Sequence, residues 1–222
     1  MNYLKRTLAA AAAISIAFLP VSGFPCAVPE KVFAADYTEG ATDELKYYQY
    51  EDHITIVGVV SSSIKSLEIP DQISGLPVTE LGAKAFSSCY YLETVKLPEK
   101  LEKIGAYAFM NCRNIKELSI PDSVSSIGNE AFRQCSGLES FTLPASLTEL
   151  GTAVFTGCKK ISGFSAASGS QVFSVSDGIV FSDSGKTLAV FPAGKADTEY
   201  TVPGTVAKIA PTAFSGCTNL VS

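Results

Sequence analysis

The sequence predicts an α/β solenoid in which short units of strand, turn and short helix stack on one another. The first observation is a phrase of the form Ala-Phe-x-x-Cys that recurs every 23 residues. The second is a strand-like apolar segment that ends in proline, and the third is a glycine at a fixed distance from that proline. A strict period of this size is typical of repeat proteins, because one unit buries its apolar side only against a neighbour.

Residues 1–35 predict a secretory signal peptide. Lys5 and Arg6 precede an apolar run from Leu8 to Leu19, and the small residues Ala34 and Ala35 fit a cleavage site. A membrane anchor is the alternative. It is less favoured because the apolar run is shorter than the roughly 20 helical residues that span a bilayer. We therefore expect a secreted or cell-surface protein that is not integral to the membrane.

Residues 36–60 predict an N-terminal cap rich in tyrosine and β-branched residues. Such a cap would shield the first repeat, because an open solenoid end exposes apolar surface and an unpaired strand edge. His53, the only histidine, lies in this segment. No nucleophile motif accompanies it, so a surface or core histidine is favoured over a catalytic base.

Residues 61–163 contain the regular repeats, the first of which is longer than the others. Each has apolar residues at relative positions 1, 4 and 6 and then a proline, which ends the strand because it has no amide hydrogen for the ladder. A glycine follows seven residues later, at Gly105, Gly128 and Gly151. We expect these glycines to provide a tight turn with an unusual backbone angle, followed by one short helical turn.

Two columns of equivalent residues form the structural ladder of the predicted solenoid. They are Phe86, Phe109, Phe132, Phe155 and Phe214, and Cys89, Cys112, Cys135, Cys158 and Cys217. Disulfides are an alternative for the cysteines, but equivalent positions on stacked units generally lie beyond bridging distance. We expect buried free thiols. A metal site is not expected, because close Cys-x-x-Cys spacing and histidine partners are both lacking.

Residues 164–199 interrupt the period and predict an inserted β-hairpin, with Asp177-Gly178 as one turn and Ser182-Asp-Ser-Gly185 as another. Asp177 and Asp183 lie outside any dense calcium-binding pattern, so turn formation explains them better. Residues 200–222 resume the repeat and stop where a new strand would begin, which indicates a truncated array.

The outward side of the predicted strands is the candidate partner-binding surface. Its residues alternate with buried ones and form neighbouring columns: Ser66, Glu68, Thr94, Lys96, Glu117, Ser119, Ser140 and Thr142. We call these eight residues the polar strand face. They lack the aromatic anchors of strong interfaces, so a merely soluble surface is an equal alternative. Without residues 1–35, 14 basic and 21 acidic residues remain, which disfavours nucleic-acid binding.

The full pattern, L-x-x-[VLF]-x-[LI]-P-x-x-[LV]-x-x-[IL]-G-x-x-[AV]-F-x-x-C, resembles the treponemal-type leucine-rich repeat of BspA-like bacterial surface proteins. The resemblance covers about residues 46–222. It implies a curved, right-handed leucine-rich-repeat solenoid, with parallel strands on the concave face and short helices or turns on the convex face. It also implies an extracellular role in adhesion or protein recognition.

The favoured hypothesis is therefore a non-catalytic binding or adhesion module for an extracellular protein of host or bacterial origin, without cofactor or metal. The alternative is a spacer or scaffold in a longer secreted protein, with an enzyme or wall-anchoring domain beyond residue 222.

Overall fold

The computed structural model describes residues 37–222, so the predicted signal peptide lies outside the described residues. Within this range the chain is a β-solenoid whose only helical element is the 3-10 helix Asp183–Gly185. No helix in this range is long and apolar enough to span a membrane. The strands are β1 (Thr38–Ala41), β2 (Leu45–Gln49), β3 (Ile54–Val59), β4 (Ser66–Glu68), β5 (Gln72–Ile73), β6 (Leu76–Leu81), β7 (Thr94–Lys96), β8 (Lys103–Ile104), β9 (Ser126–Ile127), β10 (Phe141–Leu143), β11 (Glu149–Leu150), β12 (Phe164–Ala166), β13 (Ser174–Ser176), β14 (Ile179–Ser182), β15 (Thr187–Val190) and β16 (Lys208–Ile209).

The longest sheet runs through the whole regular array in the order β1-β2-β3-β6-β8-β9-β11. Strands β1, β2 and β3 are antiparallel. From β3 onward each strand is parallel to the next, with the pairs Lys103↔Ser126 and Ile104↔Ile127 showing the 23-residue register. The tyrosine-rich segment predicted as a cap thus adds an antiparallel edge to a parallel stack.

The strands of the polar strand face form two shorter parallel pairs. Strand β4 pairs with β7, and β10 pairs with β12. The strand expected between them, at Glu117–Ser119, is absent, and the prediction was wrong there. Ile115 and Leu118 are nevertheless buried. Side-chain burial rather than a backbone ladder therefore holds this segment in place.

The two-residue strands β8, β9 and β11 were not predicted from the sequence. Each ends directly before the repeat glycine. The amide of Gly128 donates to the carbonyl of Ile104 over 2.8 Å, and that of Gly151 donates to Ile127 over 2.8 Å. Two residues are too few to show the alternation by which strands are recognised. Each repeat, which we call a rung, therefore contributes two strand positions instead of one.

The predicted short helix is also wrong, because the Ala-Phe-x-x-Cys segments form a ladder of turns. The amide of Phe86 donates to the carbonyl of Ala108 in the next rung over 2.7 Å, and Phe109 donates to Ala131 over 2.8 Å. Tyr107 (φ 61°) precedes this segment. A left-handed residue in every rung interrupts the right-handed dihedral angles that a helix needs. The segment therefore forms isolated turns, such as the one closed by the amide of Cys112 and the carbonyl of Phe109, and bonds to its neighbour through the remaining amides.

The phenylalanines stack directly above one another inside the solenoid. Ring centroids are 5.1 Å apart for Phe86 and Phe109, 5.4 Å for Phe109 and Phe132, and 5.8 Å for Phe132 and Phe155. All four side chains are buried. Offset stacking at these distances adds a favourable interaction to the burial of apolar area.

The cysteine column bonds each rung to the one before it. The thiol of Cys112 donates to the carbonyl of Phe86 over 3.1 Å, and Cys135 donates to Phe109 over 3.0 Å. Cys158 repeats the contact with Phe132 over 3.1 Å. No disulfide joins the five cysteines between residues 37 and 222. Each buried thiol thus adds a second hydrogen bond to a carbonyl that already accepts one from the cysteine amide of its own turn.

The repeat glycines are required for a reason that the sequence did not reveal. Gly105, Gly128 and Gly151 do not adopt positive φ, so the predicted unusual turn angle was wrong. A Cβ atom on Gly128 would instead lie 2.5 Å from the backbone nitrogen of Ala106 in the preceding rung. Glycine is needed because the two backbones approach too closely for any side chain.

Beyond the regular rungs, strands β13, β14, β15 and β16 form a separate sheet. Strands β13 and β14 are antiparallel neighbours joined through Asp177 and Gly178, both of which have positive φ. Strand β15 is antiparallel to β14 and parallel to β16. The interpretation of residues 164–199 as an insertion, and the domain boundaries proposed from the sequence, stay predictions.

Replacing Gly128 with alanine should destabilise the fold. Because a backbone atom blocks the new methyl group, we expect a loss of about 2–3 kcal/mol in the free energy of unfolding, as for severe overpacking. Gly204→Ala is the matched control, since no atom lies within 4 Å of its Cβ position and its φ is not positive. Urea unfolding followed by circular dichroism measures both variants, and equal midpoints would contradict the close-approach explanation.

The buried thiols should make stability fall as the solution becomes alkaline. Burial raises the pKa of Cys112 and of Cys158 to about 12, whereas an exposed thiol titrates near 8.5. Between these values the unfolded chain loses protons that the folded chain keeps, so stability decreases by up to about 1.4 kcal/mol per pH unit for each such thiol.

Urea unfolding in reducing buffer at about pH 8 and about pH 10 tests this linkage. The variant Cys112→Ala should lose less stability than the wild type over this interval. Cys217→Ala is the control, because Cys217 is only partly buried and bonds over a longer distance of 3.8 Å. An unchanged pH dependence in Cys112→Ala would contradict the prediction.

Candidate functional site

All eight residues of the polar strand face are exposed. Between them lie the apolar residues Leu67, Val95, Leu118 and Phe141, whose side chains pack into or against the core. This alternation arises because successive side chains of a strand point to opposite sides. The structure therefore presents a polar surface above a continuous apolar core.

The first half of the polar strand face is joined by contacts between rungs. The hydroxyl of Thr94 donates to that of Ser66 over 2.9 Å. The Nζ atom of Lys96 donates to Oε1 of Glu68 over 2.7 Å. Since β4 and β7 are parallel and in register, these side chains lie directly opposite each other.

The ion pair between Lys96 and Glu68 sits in solvent, with side chains 73% and 69% exposed. The Glu68 carboxylate raises the pKa of Lys96, so the lysine stays charged. An exposed pair of this kind contributes little to stability because water and salt screen it. Both charges are consequently available to a partner.

The second half of the polar strand face is separated from the first. Glu117 and Ser119 belong to the segment that forms no strand, and a cleft of about 450 Å³ lies between this segment and β7. Lys96 and Ser119 both line this cleft. The eight predicted residues thus form two groups on either side of a recess.

Sequence reasoning missed Ser165, which extends the second group. The hydroxyl groups of Thr142 and Ser165 are 2.8 Å apart, and the two residues are register partners in β10 and β12. Ser165 lies in the segment that the sequence predicted as an insertion. Its distance of 23 residues from Thr142 equals the repeat period, and this spacing was the signal that could have placed it there.

A second charged column lies on the unpredicted strands. Lys103 Nζ donates to Glu80 Oε1 over 2.6 Å, and Ser126 Oγ donates to Glu149 Oε2 over 3.1 Å. The Glu80 carboxylate raises the pKa of Lys103. The Glu80–Lys103 pair is comparable with the Glu68–Lys96 pair of the polar strand face. In both, a glutamate and a lysine are register partners on parallel strands.

The only histidine is held in the cap by its neighbours. His53 Nδ1 lies 2.6 Å from Asp52 Oδ1, and its ring stacks on Tyr50 with centroids 4.5 Å apart. The hydrogen bond with His53 lowers the pKa of Asp52. Within residues 37–222 no serine, threonine or cysteine side chain bonds to this ring, so the pair lacks the nucleophile of a catalytic triad.

Both aspartates considered for calcium take part in other contacts. Asp177 Oδ2 lies 3.1 Å from Lys195 Nζ, and Asp183 Oδ2 accepts a hydrogen bond from Thr187 Oγ1 over 2.6 Å. Asp177 and Asp183 also have positive φ within their turns. Their positions fit the turn-forming role predicted from the sequence.

Solved structures of similar fold come from bacterial leucine-rich-repeat proteins. One from Bacteroides capillosus has 22% identity and a TM-score of 0.53, with coverage of 58% of this chain and 98% of that chain. The leucine-rich-repeat protein of T. pallidum has 23% identity and a TM-score of 0.52, with coverage of 83% and 80%. The pneumococcal vaccine antigen PcpA has 20% identity and a TM-score of 0.55, with coverage of 80% and 62%.

No curated protein matches the chain. A family model does: the BspA type leucine-rich repeat region matches residues 60–184 in six copies. This range contains the regular rungs, with their stacked phenylalanines, thiol contacts and closely approached glycines. The chain belongs to the family of BspA-type leucine-rich-repeat proteins.

Proposed function

We propose that the chain is a secreted or cell-surface module that binds another extracellular protein without catalysis. The observation that carries this proposal is the polar strand face, whose eight side chains are exposed beside a buried core and of which Ser66, Thr94, Glu68 and Lys96 are held in register. Side chains fixed in this way lose little conformational freedom when a partner binds.

Charge on the polar strand face supports recognition rather than mere solubility. Lys96 and Glu68 hold opposite charges at fixed positions, and Glu117 adds a further carboxylate across the recess. Fixed charges of both signs favour a partner of complementary pattern and reject others. Exposure at the cell surface is supported by PcpA, a protein of similar fold that is described as a pneumococcal vaccine antigen.

The partner that suits this surface is a folded protein of host or bacterial origin. A solenoid presents an extended surface instead of a deep pocket, which favours large partners over small substrates. Export from the cell is proposed on the basis of the signal-like residues 1–35.

Reversing two charges of the polar strand face should weaken binding. In the variant Lys96→Glu with Glu117→Lys the net charge is unchanged, but the charge pattern is inverted. We expect about tenfold weaker binding, because misplaced charges at an interface repel. Immobilised protein lacking residues 1–35 would first capture partners from culture supernatant and host secretions, and titration with the captured protein would measure affinity.

The matched control is Lys103→Glu with Glu102→Lys. Lys103 pairs with Glu80 as Lys96 pairs with Glu68, but on the other sheet. This variant should bind as the wild type does. Equal binding by all three proteins would place the partner site elsewhere, and the capture of no specific protein would contradict the binding role.

A further inference from the structure

A cleft of about 730 Å³ separates the last regular rung from the strands that follow it. It is lined on one side by Thr148, Glu149 and Leu150, and on the other by Thr187, Phe191 and Ala210. We call this space the β11 cleft. Its volume falls within the range of about 300–1,000 Å³ that is typical of ligand-binding clefts.

The β11 cleft lies where the backbone ladder stops. In the array, the carbonyl of Ile104 accepts from Gly128, and that of Ile127 accepts from Gly151. The equivalent carbonyl of Leu150 accepts no hydrogen bond from any residue between 37 and 222. The ladder resumes only at Leu188, whose carbonyl accepts from Ala210 over 2.9 Å.

A second carbonyl on the same edge is also free. Ser125 accepts hydrogen bonds from the amides of Thr148 and Glu149. The carbonyl of Thr148, one rung further on, accepts none within the described part of the chain. Strand β11 is therefore the terminal strand of its sheet, and it leaves two acceptors two residues apart.

The strands that follow in the chain do not fill this edge. Strand β15 is bonded on one side to β14 and on the other to β16. With both edges occupied, β15 has no groups left to pair with β11. The turn between β14 and β15 closes the far side of the cleft instead, at Ser182 and Asp183.

We propose that the β11 cleft binds an extended segment of another polypeptide, which adds to β11 as a parallel strand. Two carbonyls at strand spacing require two amides at the same spacing, and extended backbone provides them. The partly exposed apolar side chains of Leu150, Ala189 and Val190 line the cleft and can contact alternate side chains of such a segment. This site is separate from the polar strand face and goes beyond the function proposed for it.

A peptide copied from the array itself is a suitable probe. The segment 123–130, Ser-Val-Ser-Ser-Ile-Gly-Asn-Glu, contains β9, which already pairs with β11 in parallel. Fluorescence polarisation of the labelled peptide should show saturable binding to the protein. The same peptide N-methylated at the amides that correspond to Ser125, Ser126 and Gly128 should bind about tenfold more weakly, because these amides are the donors to the preceding rung in the array and would be lost.

Filling the cleft should have the same effect. Ala210→Leu places a larger side chain in the cleft and should weaken binding of the probe about tenfold. The exposed residue three positions earlier provides the control Ala207→Leu, which should bind as the wild type does. If thermal melting shows that Ala210→Leu does not fold, Ala189→Leu fills the same cleft from β15.

Binding of the probe peptide distinguishes the β11 cleft from the polar strand face. The variant Lys96→Glu with Glu117→Lys should bind the probe normally, whatever happens to its extracellular partner. Absence of binding at about millimolar peptide, equal binding of the methylated peptide, or normal binding by a folded cleft-filling variant would each overturn strand addition at β11.

Discussion

The structure depends on backbone hydrogen bonds between neighbouring rungs. The amides of Gly105, Gly128 and Gly151 each donate to the carbonyl that lies one rung earlier. The amides of Phe86, Phe109 and Phe132 donate in the opposite sense, each to the rung that follows. Every interior rung is therefore held from both sides, and a rung in isolation would leave these groups unsatisfied.

This arrangement places two demands on the side chains. Rungs must approach closely enough for the bonds to form, which excludes a Cβ atom at Gly128 because the backbone nitrogen of Ala106 occupies its position. The interior must also be filled evenly, which the stacked phenylalanine rings achieve. The thiol of Cys135 then satisfies the carbonyl of Phe109, whose own amide is used by the neighbouring rung. The backbone ladder thus accounts both for glycine at the close approach between rungs and for phenylalanine in the interior.

The ladder also explains where binding can take place. In the long sheet the strand edges before β11 are paired with neighbouring rungs, so the surface available to a partner consists of outward side chains and of places where the ladder is interrupted. The polar strand face is the first kind, with Lys96 and Glu68 held in register. The β11 cleft is the second kind, with the carbonyls of Thr148 and Leu150 left free. The polar strand face is suited to a partner of complementary charge, and the β11 cleft is suited to the backbone amides of an extended segment.

The sequence by itself determined the repeat, its family, the identity of the core residues and the turn at Asp177-Gly178, because periodicity and turn chemistry are local properties. Only the tertiary structure decided how the rungs bond: it replaced the expected helix by turns, added the strands before each glycine and left Glu117–Ser119 unpaired. Residue spacing determines which positions are equivalent on neighbouring rungs, but not how closely their backbones approach. That distance explains the glycines. The end of the long sheet at β11 likewise appears only in the tertiary structure, because it depends on which strands pair.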